Sequence, residues 1–99
     1  MNKINCKIKS VALSDGENIV DYIKQDHPTA AIKLFNKFND TFKLLCSHPN
    51  MGFIKDEFKY KNVRFYKVKK HYLIVYNFEN DEINILRVLS SYQDIIDKL

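Results

Sequence analysis

Residues 59–71 hold the strongest chemical signal of this 99-residue chain, because five lysines and one arginine occur there without an acidic residue. Ammonium and guanidinium groups at this density attract an anionic partner, either an acidic protein segment or a nucleic acid held by a protein. The candidate binding residues in and after this region are Arg64, Lys67, Lys69, Lys70, Tyr72 and Arg87.

Each of these candidates also has a purely structural interpretation, and the sequence leaves both open. Arg64 and Arg87 lie in predicted strands, where they either bind a partner from one shared face or form internal ion pairs. Lysines on an edge strand also keep sheets from aggregating. Tyr72 is also suited to packing on a small sheet. His71 is expected at an exposed hairpin tip, where it is a minor acid–base candidate.

Motifs of common enzymes and metal sites are absent from the sequence. It has no glycine-rich phosphate loop and no nucleophile elbow, so ordinary hydrolase chemistry has no support. Cys46 and His48 are close together, but no further ligands at suitable spacing complete a tetrahedral metal site. We therefore expect no metal and no cofactor.

The N-terminal part of the chain predicts a strand followed by a helix. Residues 4–8 alternate apolar and polar side chains, which predicts an edge strand with one buried face. Ser14 and Glu17 have the spacing of a capping box, in which each side chain binds a free backbone N–H of the first helical turn. A helix is therefore expected to begin near Asp15 and to end near Asp26.

A second, longer helix is predicted from Pro28, because proline suits the first helical position and disfavours helical geometry in the residue before it. The two helices then form a tight hairpin. Apolar residues at steps of three and four place one face of this helix in the core, namely Ala31, Leu34, Phe35, Phe38, Phe42 and Leu45. The helix is expected to end within residues 47–52. Four apolar residues should pin the following loop, namely Phe53, Ile54, Phe58 and Tyr60.

Three runs of alternating apolar residues follow, at 63–69, 72–78 and 83–89. Their short polar joints near Lys70 and Asn80 predict antiparallel hairpins, because parallel neighbours need a crossover of about a dozen residues or more. Ser91 and Asp94 predict the start of a short C-terminal helix. The order predicts one α+β domain over residues 1–99, with an N-terminal strand, a helical hairpin, a three-stranded antiparallel meander and a terminal helix.

Composition is that of an ordinary soluble protein, with 45% hydrophobic and 28% charged residues. No stretch approaches the roughly 20 apolar residues that span a bilayer, and the first ten residues do not form a signal peptide. We therefore expect no membrane partner and a cytoplasmic location. Cys6 and Cys46 are isolated in sequence, so they are interpreted as reduced structural thiols and not as a disulfide.

A set of residues between positions 12 and 94 has a characteristic order and spacing. It consists of Asp15, Asp21-Tyr22-Ile23, Pro28 with Ala30-Ala31, Leu45, Pro49 with Met51-Gly52, Arg64, Val68, Tyr72-Leu73-Ile74-Val75-Tyr76 and Ile85-Leu86-Arg87-Val88-Leu89. With these residues the chain resembles the ParE branch of the ParE/RelE toxin superfamily. The resemblance implies the same strand, helical hairpin, antiparallel sheet and terminal helix that the hydrophobic periodicity predicts.

The resemblance also implies the toxin half of a type II toxin–antitoxin pair. The partner would be a small ParD-like antitoxin, whose acidic C-terminal segment wraps the toxin and whose N-terminal part binds operator DNA. The toxin would meet operator DNA only through that antitoxin. Members similar to ParE poison DNA gyrase, whereas members of the RelE branch cut messenger RNA in the ribosome. The implied target is therefore DNA gyrase, or alternatively the ribosome with its mRNA.

The sequence departs from the family pattern at positions that bear on this choice. Ser90 and Gln93 stand where many members have a histidine and an arginine. Their loss disfavours RNA cleavage, because that reaction needs groups that transfer protons and cations that stabilise the phosphate. The remaining catalytic candidates are weak, namely Arg64, His71, Arg87 and Tyr92. Gly16 replaces a family leucine, which raises the question of how firmly the first helix packs.

Three hypotheses follow from the residues and the resemblance. The first is a ParE-like toxin that acts on DNA gyrase by binding and not by breaking bonds. The second is a RelE-like ribosome-dependent mRNA endonuclease, and the third is a degenerate member that binds its antitoxin without being toxic. In all three, Lys67, Lys69 and Lys70 are expected to attract the acidic antitoxin segment, either as a helix in a groove or as an added strand.

Overall fold

A computed structural model of the chain describes residues 5–56 and 62–90. The elements in chain order are β1 (Asn5–Ile8), α1 (Ser10–Lys24), α2 (Pro28–Ser47), β2 (Arg64–Val68), β3 (Tyr72–Glu79) and β4 (Glu82–Leu89). The strands form one sheet in the order β1-β4-β3-β2, in which β1 runs parallel to β4 and the other neighbours are antiparallel. The predicted α+β class and the antiparallel meander are confirmed. The predicted C-terminal helix lies outside the described residues.

Helix α2 begins at Pro28, as predicted, and buries one face against the sheet. Ala31, Leu34, Phe38, Phe42 and Leu45 are all buried, which confirms most of the predicted stripe. The prediction for Phe35 is wrong, because its side chain is 48% exposed. Phe35 lies about 100° around the helix from Leu34, and this rotation turns its ring towards a shallow groove beside α1.

Helix α1 begins at Ser10, one turn earlier than the capping box predicts. Ser14 therefore lies inside the helix, and Lys9 occupies the N-cap position without a side-chain hydrogen bond. A tertiary contact determines where the helix begins, because the N–H of Lys9 binds the carbonyl of Ile85 as the chain leaves the sheet. A helix that begins at Ser10 places Ala12 in the core, and the burial of Ala12 stabilises this early start.

Strand β1 is an edge strand, as predicted, but the expected buried face is wrong because its four residues are all exposed. It pairs only with β4, beyond the part of the sheet that the buried side chains cover. The interpretation of the two cysteines as separate reduced thiols is also wrong. Cys6 of β1 forms a disulfide with Cys46 of α2, across Cα atoms 5.7 Å apart. A separation of 40 residues concealed this proximity in the sequence.

Buried side chains lie on both faces of the sheet. One cluster joins the helices to the sheet and includes Tyr76, Ile83 and Ile85. A second cluster contains Val63, Phe65, Leu73, Val75 and Leu89. Strand β3 contributes to both clusters, which explains its unbroken apolar run.

Hydrogen bonds to backbone groups hold the segment after α2 in place. Phe53 exchanges two backbone hydrogen bonds of 2.8 Å with Phe65, and their rings lie 5.8 Å apart. Phe53 thus helps to pin this loop, as predicted, although its own side chain and that of Ile54 are exposed. Phe58 and Tyr60 lie outside the described residues. Neither described helix is long and apolar enough to cross a membrane.

Gly16 leaves a small gap between the helices without distorting α1. A Cβ atom added there would meet the Phe38 ring at 3.9 Å, which is ordinary van der Waals contact. Its backbone has no positive φ, so no left-handed conformation requires glycine at this position. The missing side chain adjoins a depression of about 170 Å³ that Leu13 and Phe35 also line. Helices α1 and α2 pack against each other with glycine at this position.

Candidate binding site at the β2–β3 hairpin

The β2–β3 hairpin and the segment before β2 border a surface pocket of about 410 Å³. Cationic groups surround it, and no acidic side chain among the described residues lines it. Its lining consists of Phe53, Lys55, Lys67, Lys70, His71, Tyr72, Leu73 and Ser90. We call this the lysine pocket. The structure therefore brings together four of the candidate residues from the sequence and adds Lys55, which the sequence analysis did not select.

The turn of the hairpin divides the lysines between two surfaces. Val68 pairs with Tyr72, so three residues connect the strands, and Lys69 at their start has a φ of 53°. This left-handed conformation costs a residue with a side chain about 1–2 kcal/mol relative to the usual backbone. Lys69 consequently lies at a second depression with His27 and Lys33, while Lys67 and Lys70 line the lysine pocket.

The aromatic residues of the turn have different roles. Tyr72 is half-buried, and its ring meets the ring of Phe38 edge to face at 5.6 Å and 86°. This contact ties the hairpin to α2, which supports the packing interpretation of Tyr72. His71 is exposed, with its ring 6.4 Å from that of Tyr72. It remains accessible to a ligand in the lysine pocket.

The two arginines do not meet in this site. In the sheet register Arg64 pairs with Tyr76 and Arg87 with Val75. The register between β3 and β4 shifts between Val75 and Tyr76, and the two guanidinium groups bind different partners, Gly52 and Asp15. Arg64 donates a hydrogen bond of 3.1 Å from Nη1 to the carbonyl of Gly52.

Arg87 is held by a carboxylate of α1. Its Nε and Nη2 atoms donate to the two carboxylate oxygens of Asp15 at 2.7 and 2.8 Å. The backbone N–H of Val88 donates to the same carboxylate at 3.1 Å. Asp15 thus occupies the edge of β4 beyond the end of β1, and the internal ion pair is the role of Arg87 that the geometry supports.

Of the remaining C-terminal positions that bear on catalysis, only Ser90 lies within the described residues. Ser90, at the position of the family histidine, is exposed and lies on the rim of the lysine pocket. Tyr92 and Gln93 lie outside the described residues. Within the described ranges, no group of three or more His, Cys, Asp and Glu side chains is placed to hold a metal ion.

A buried tyrosine hydroxyl fixes the segment that supplies Phe53 and Lys55. The Tyr76 hydroxyl donates to the carbonyl of Pro49 at 2.7 Å and accepts from the N–H of Gly52 at 2.8 Å. A Cβ atom on Gly52 would lie 2.5 Å from that hydroxyl oxygen, so only glycine fits this close approach. With the bond from Arg64, these four residues form what we call the tyrosine lock.

The tyrosine lock was not predicted, although the sequence contains a signal for it. Tyr76 lies in an apolar run, and a buried tyrosine needs partners for its hydroxyl. Burial raises the pKa of Tyr76 above its ordinary value of 10.0, while the hydrogen bond from Gly52 and the charge of Arg64 act in the opposite direction. The hydroxyl therefore remains protonated and serves a structural purpose.

The lysine pocket can bind a negatively charged group. Three ammonium groups and an imidazole can each donate to carboxylate or phosphate oxygens. Phe53 and Tyr72 add aromatic surface for the apolar part of a partner. The ammonium of Lys55 lies 5.3 Å from the centre of the Phe53 ring, within the range of a cation–π contact. Binding of an anionic segment is thus the chemistry that this geometry supports best.

Comparisons with known proteins agree with the fold and with the family resemblance of the sequence. Residues 7–95 match a family model described as the ParE toxin of the type II toxin–antitoxin system parDE. A solved structure of a chromosomal ParDE toxin–antitoxin system from P. aeruginosa has a similar fold, with a TM-score of 0.76 and 19% identity over 90% of this chain and 97% of that chain. No curated protein matches the sequence.

A second solved structure aligns less well. It is the solution structure of a conserved hypothetical protein from Helicobacter pylori, with a TM-score of 0.46 and 15% identity. The alignment covers 88% of this chain and 93% of that chain.

The two glycines should respond in opposite ways to the same substitution. We expect Gly52→Ala to lower the free energy of unfolding by about 1–3 kcal/mol, because the new methyl group overlaps the Tyr76 hydroxyl. Gly16→Ala should raise it by about 0.5–1 kcal/mol, because alanine suits a helix interior better and the space is open. Urea unfolding of both variants measures these changes. A Gly52→Ala protein as stable as the wild type would contradict the tyrosine lock.

Stability at alkaline pH should depend on Tyr76. Above its ordinary pKa of 10.0 the unfolded chain releases the Tyr76 proton while the folded chain keeps it, so the free energy of unfolding should fall as pH rises. We expect Tyr76→Phe to be less stable near neutral pH by about 1–3 kcal/mol, since Pro49 and Gly52 lose their partner. Its stability should also fall less steeply above about pH 10.

Chemical denaturation across the alkaline range measures both effects. Tyr22→Phe is the matched control, because the Tyr22 side chain is 76% exposed and takes no part in the tyrosine lock. Identical alkaline slopes for Tyr76→Phe and the wild type would show that Tyr76 is not protected in the folded state.

Proposed function

The chain belongs to the ParE toxin family of type II toxin–antitoxin systems, and on that premise we propose that it arrests growth by binding DNA gyrase. The observation that carries this proposal is the lysine pocket, a cationic surface equipped for binding and poor in groups for catalysis. An acidic antitoxin segment is the partner that would neutralise the toxin. The cytoplasm, where gyrase works, is the proposed location.

The chemistry of the pocket favours binding over RNA cleavage. Cleavage requires one group that accepts a proton and another that donates one. Among the described residues of the pocket, His71 is the one imidazole, and no carboxylate lines the pocket as a second proton-transfer group. Arg64 and Arg87 are directed to Gly52 and Asp15, and Ser90 replaces the family histidine.

The RelE-like alternative has one specific observation in its favour. His71 lies on the same pocket as Lys67 and Lys70, where an imidazole and two cations could act on one phosphodiester. The gyrase proposal and this alternative predict different damage in arrested cells, so one experiment separates them.

Controlled expression of the chain in growing cells tests the proposed target. We expect arrest accompanied by loss of normal DNA supercoiling and by accumulation of cleaved gyrase–DNA complexes, with transcripts intact. Coexpression of the cognate antitoxin should relieve the arrest, restore supercoiling and prevent accumulation of cleaved complexes.

Arrest with normal DNA topology and cut transcripts would overturn the gyrase proposal and support the endonuclease. In that case His71→Ala should abolish cleavage, whereas His27→Ala, which changes an exposed histidine outside the pocket, should not. A folded chain that binds the antitoxin without arresting growth would instead indicate a degenerate toxin.

The outer edge of β2 offers a place for an antitoxin strand. Phe65 directs its N–H and carbonyl to Phe53, away from β3. Since this direction alternates along a strand, the N–H and carbonyl of Lys67 point to the same outer edge. Among the described residues no element pairs with Lys67 there. An acidic strand added at this edge would place its carboxylates near the lysine pocket.

Neutralising the pocket lysines should slow antitoxin binding. The chain has a formal net charge of +4, and electrostatic attraction raises association rates by about tenfold or more at low salt. We expect Lys67→Gln with Lys70→Gln to reduce the association rate constant by about tenfold and to flatten its salt dependence. Stopped-flow mixing with the purified antitoxin measures both quantities.

The control removes the same charge elsewhere. Lys37→Gln with Lys43→Gln changes two exposed lysines of α2, so it should alter the rate much less. Lys69→Gln alone tests the second depression across the turn. Equal slowing by the α2 pair and the pocket pair would mean that only net charge matters and that the antitoxin does not dock at the pocket.

A further inference from the structure

We propose that Cys6 and Cys46 form a redox-active pair that locks the edge strand β1 to the end of α2 and releases the strand on reduction. Cys6 is exposed on β1, and Cys46 is half-buried in the last turn of α2. Their Cα atoms are 5.7 Å apart, within the usual range for a disulfide. Cys46 lines an open surface depression together with Ile8 and Ser47, so a small thiol can approach the bond there.

Among the described residues, few other interactions hold β1 in place. The strand pairs over four residues with β4, and all four of its side chains are exposed. Lys7 forms an ion pair of 3.3 Å with Glu82, but its side chain is 63% exposed and such surface pairs contribute little. Besides the peptide connection through Lys9 to α1, the disulfide is the covalent link that ties β1 to the end of α2.

Helix α1 is held by contacts that do not involve β1. Strand β1 can therefore detach from the sheet while the helices stay in place. Asp15 binds Arg87 and the backbone of Val88 at the end of β4 away from β1. Ala12 is fully buried in the core, and α1 packs along α2. Segments with few buried contacts and exposed hydrogen bonds open locally at low free-energy cost. Once the disulfide is reduced, β1 has these properties and α1 does not.

The chemistry is thiol–disulfide exchange with a small thiol such as glutathione. A thiolate attacks one sulfur of the disulfide, which forms a mixed disulfide and expels the other cysteine as a thiolate. A second thiolate then displaces the protein sulfur, so the protein gains two electrons and two protons while two small thiols become one small disulfide. The small disulfide drives the reverse steps. In a reducing compartment, as expected from the sequence, protein disulfides are usually transient or regulatory.

Release of β1 would also expose a new strand edge. The N–H of Asn5 now binds the carbonyl of Asp81, and that of Lys9 binds the carbonyl of Ile85. Without β1, residues 82–85 of β4 would present unpaired backbone groups, which readily accept another strand. The redox state of the pair therefore controls how much of the sheet is open to strand addition.

Hydrogen exchange on the full chain tests this inference without any measurement of toxicity. Thiol titration and mass spectrometry first establish the redox state in buffers of reduced or oxidised glutathione. We expect the amides that bond between β1 and β4, which are those of Asn5 and Lys7 and the alternate amides of residues 82–85 that face β1, to exchange about tenfold faster or more in the reduced protein. Exchange in α1 and β3 should stay unchanged. Cys6→Ser and Cys46→Ser should behave like the reduced wild type in both buffers.

Lys7→Gln is the matched control on the same strand. It removes the ion pair to Glu82 and keeps the disulfide, so its oxidised form should retain slow exchange. The inference is overturned if the disulfide fails to form in oxidised glutathione or fails to break in reduced glutathione. It is equally overturned if β1 exchanges at the same rate in both redox states.

Discussion

The buried hydroxyl of Tyr76 is the constraint on which the rest of the binding surface depends. It accepts from Gly52 and donates to Pro49, so it fixes the path of the chain directly after α2. That path brings Phe53 alongside Phe65 at the edge of β2 and places Lys55 on the rim of the lysine pocket. A phenylalanine at position 76 would fill nearly the same volume but would leave the segment without these two partners.

Arginine and lysine carry positive charge for different purposes in this protein. Arg64 and Arg87 have planar guanidinium groups that bind acceptors in a fixed geometry, and each ties two parts of the fold together. The side chains of Arg87 and Asp15 are only 22% and 12% exposed. Such a shielded pair mainly orients α1 on the sheet, since desolvation offsets much of its attraction. The lysines of the lysine pocket remain at the surface, where flexible ammonium groups can meet a partner.

Features that depend on local interactions could be predicted from the sequence, whereas features that depend on contacts between distant residues could not. Pro28 and the apolar steps along α2 are local signals, and they identified this helix almost residue by residue. The start of α1 could not be read locally, because a hydrogen bond from Lys9 to Ile85 and the burial of Ala12 override the Ser14–Glu17 pattern. The lysines of the hairpin were visible because they are close together in sequence, but Lys55 joins them through tertiary contacts of its segment, which are the tyrosine lock and the pairing of Phe53 with Phe65. The disulfide was missed because β1 reaches the end of α2 only after the sheet has formed.

The sheet itself restricts where a partner can bind. Both faces of β3 carry buried side chains, so a ligand cannot lie across the centre of the sheet. The accessible parts of the described sheet are the outer strand edges and the turns between strands, and the β2–β3 turn is the one that carries lysines. Lys69 adopts a left-handed backbone at this turn, where glycine would fit with less strain, and its side chain lies on the other side from Lys70. The turn therefore presents positive charge to both sides, which suits an extended acidic segment that wraps around the hairpin more than a compact ligand confined to one pocket.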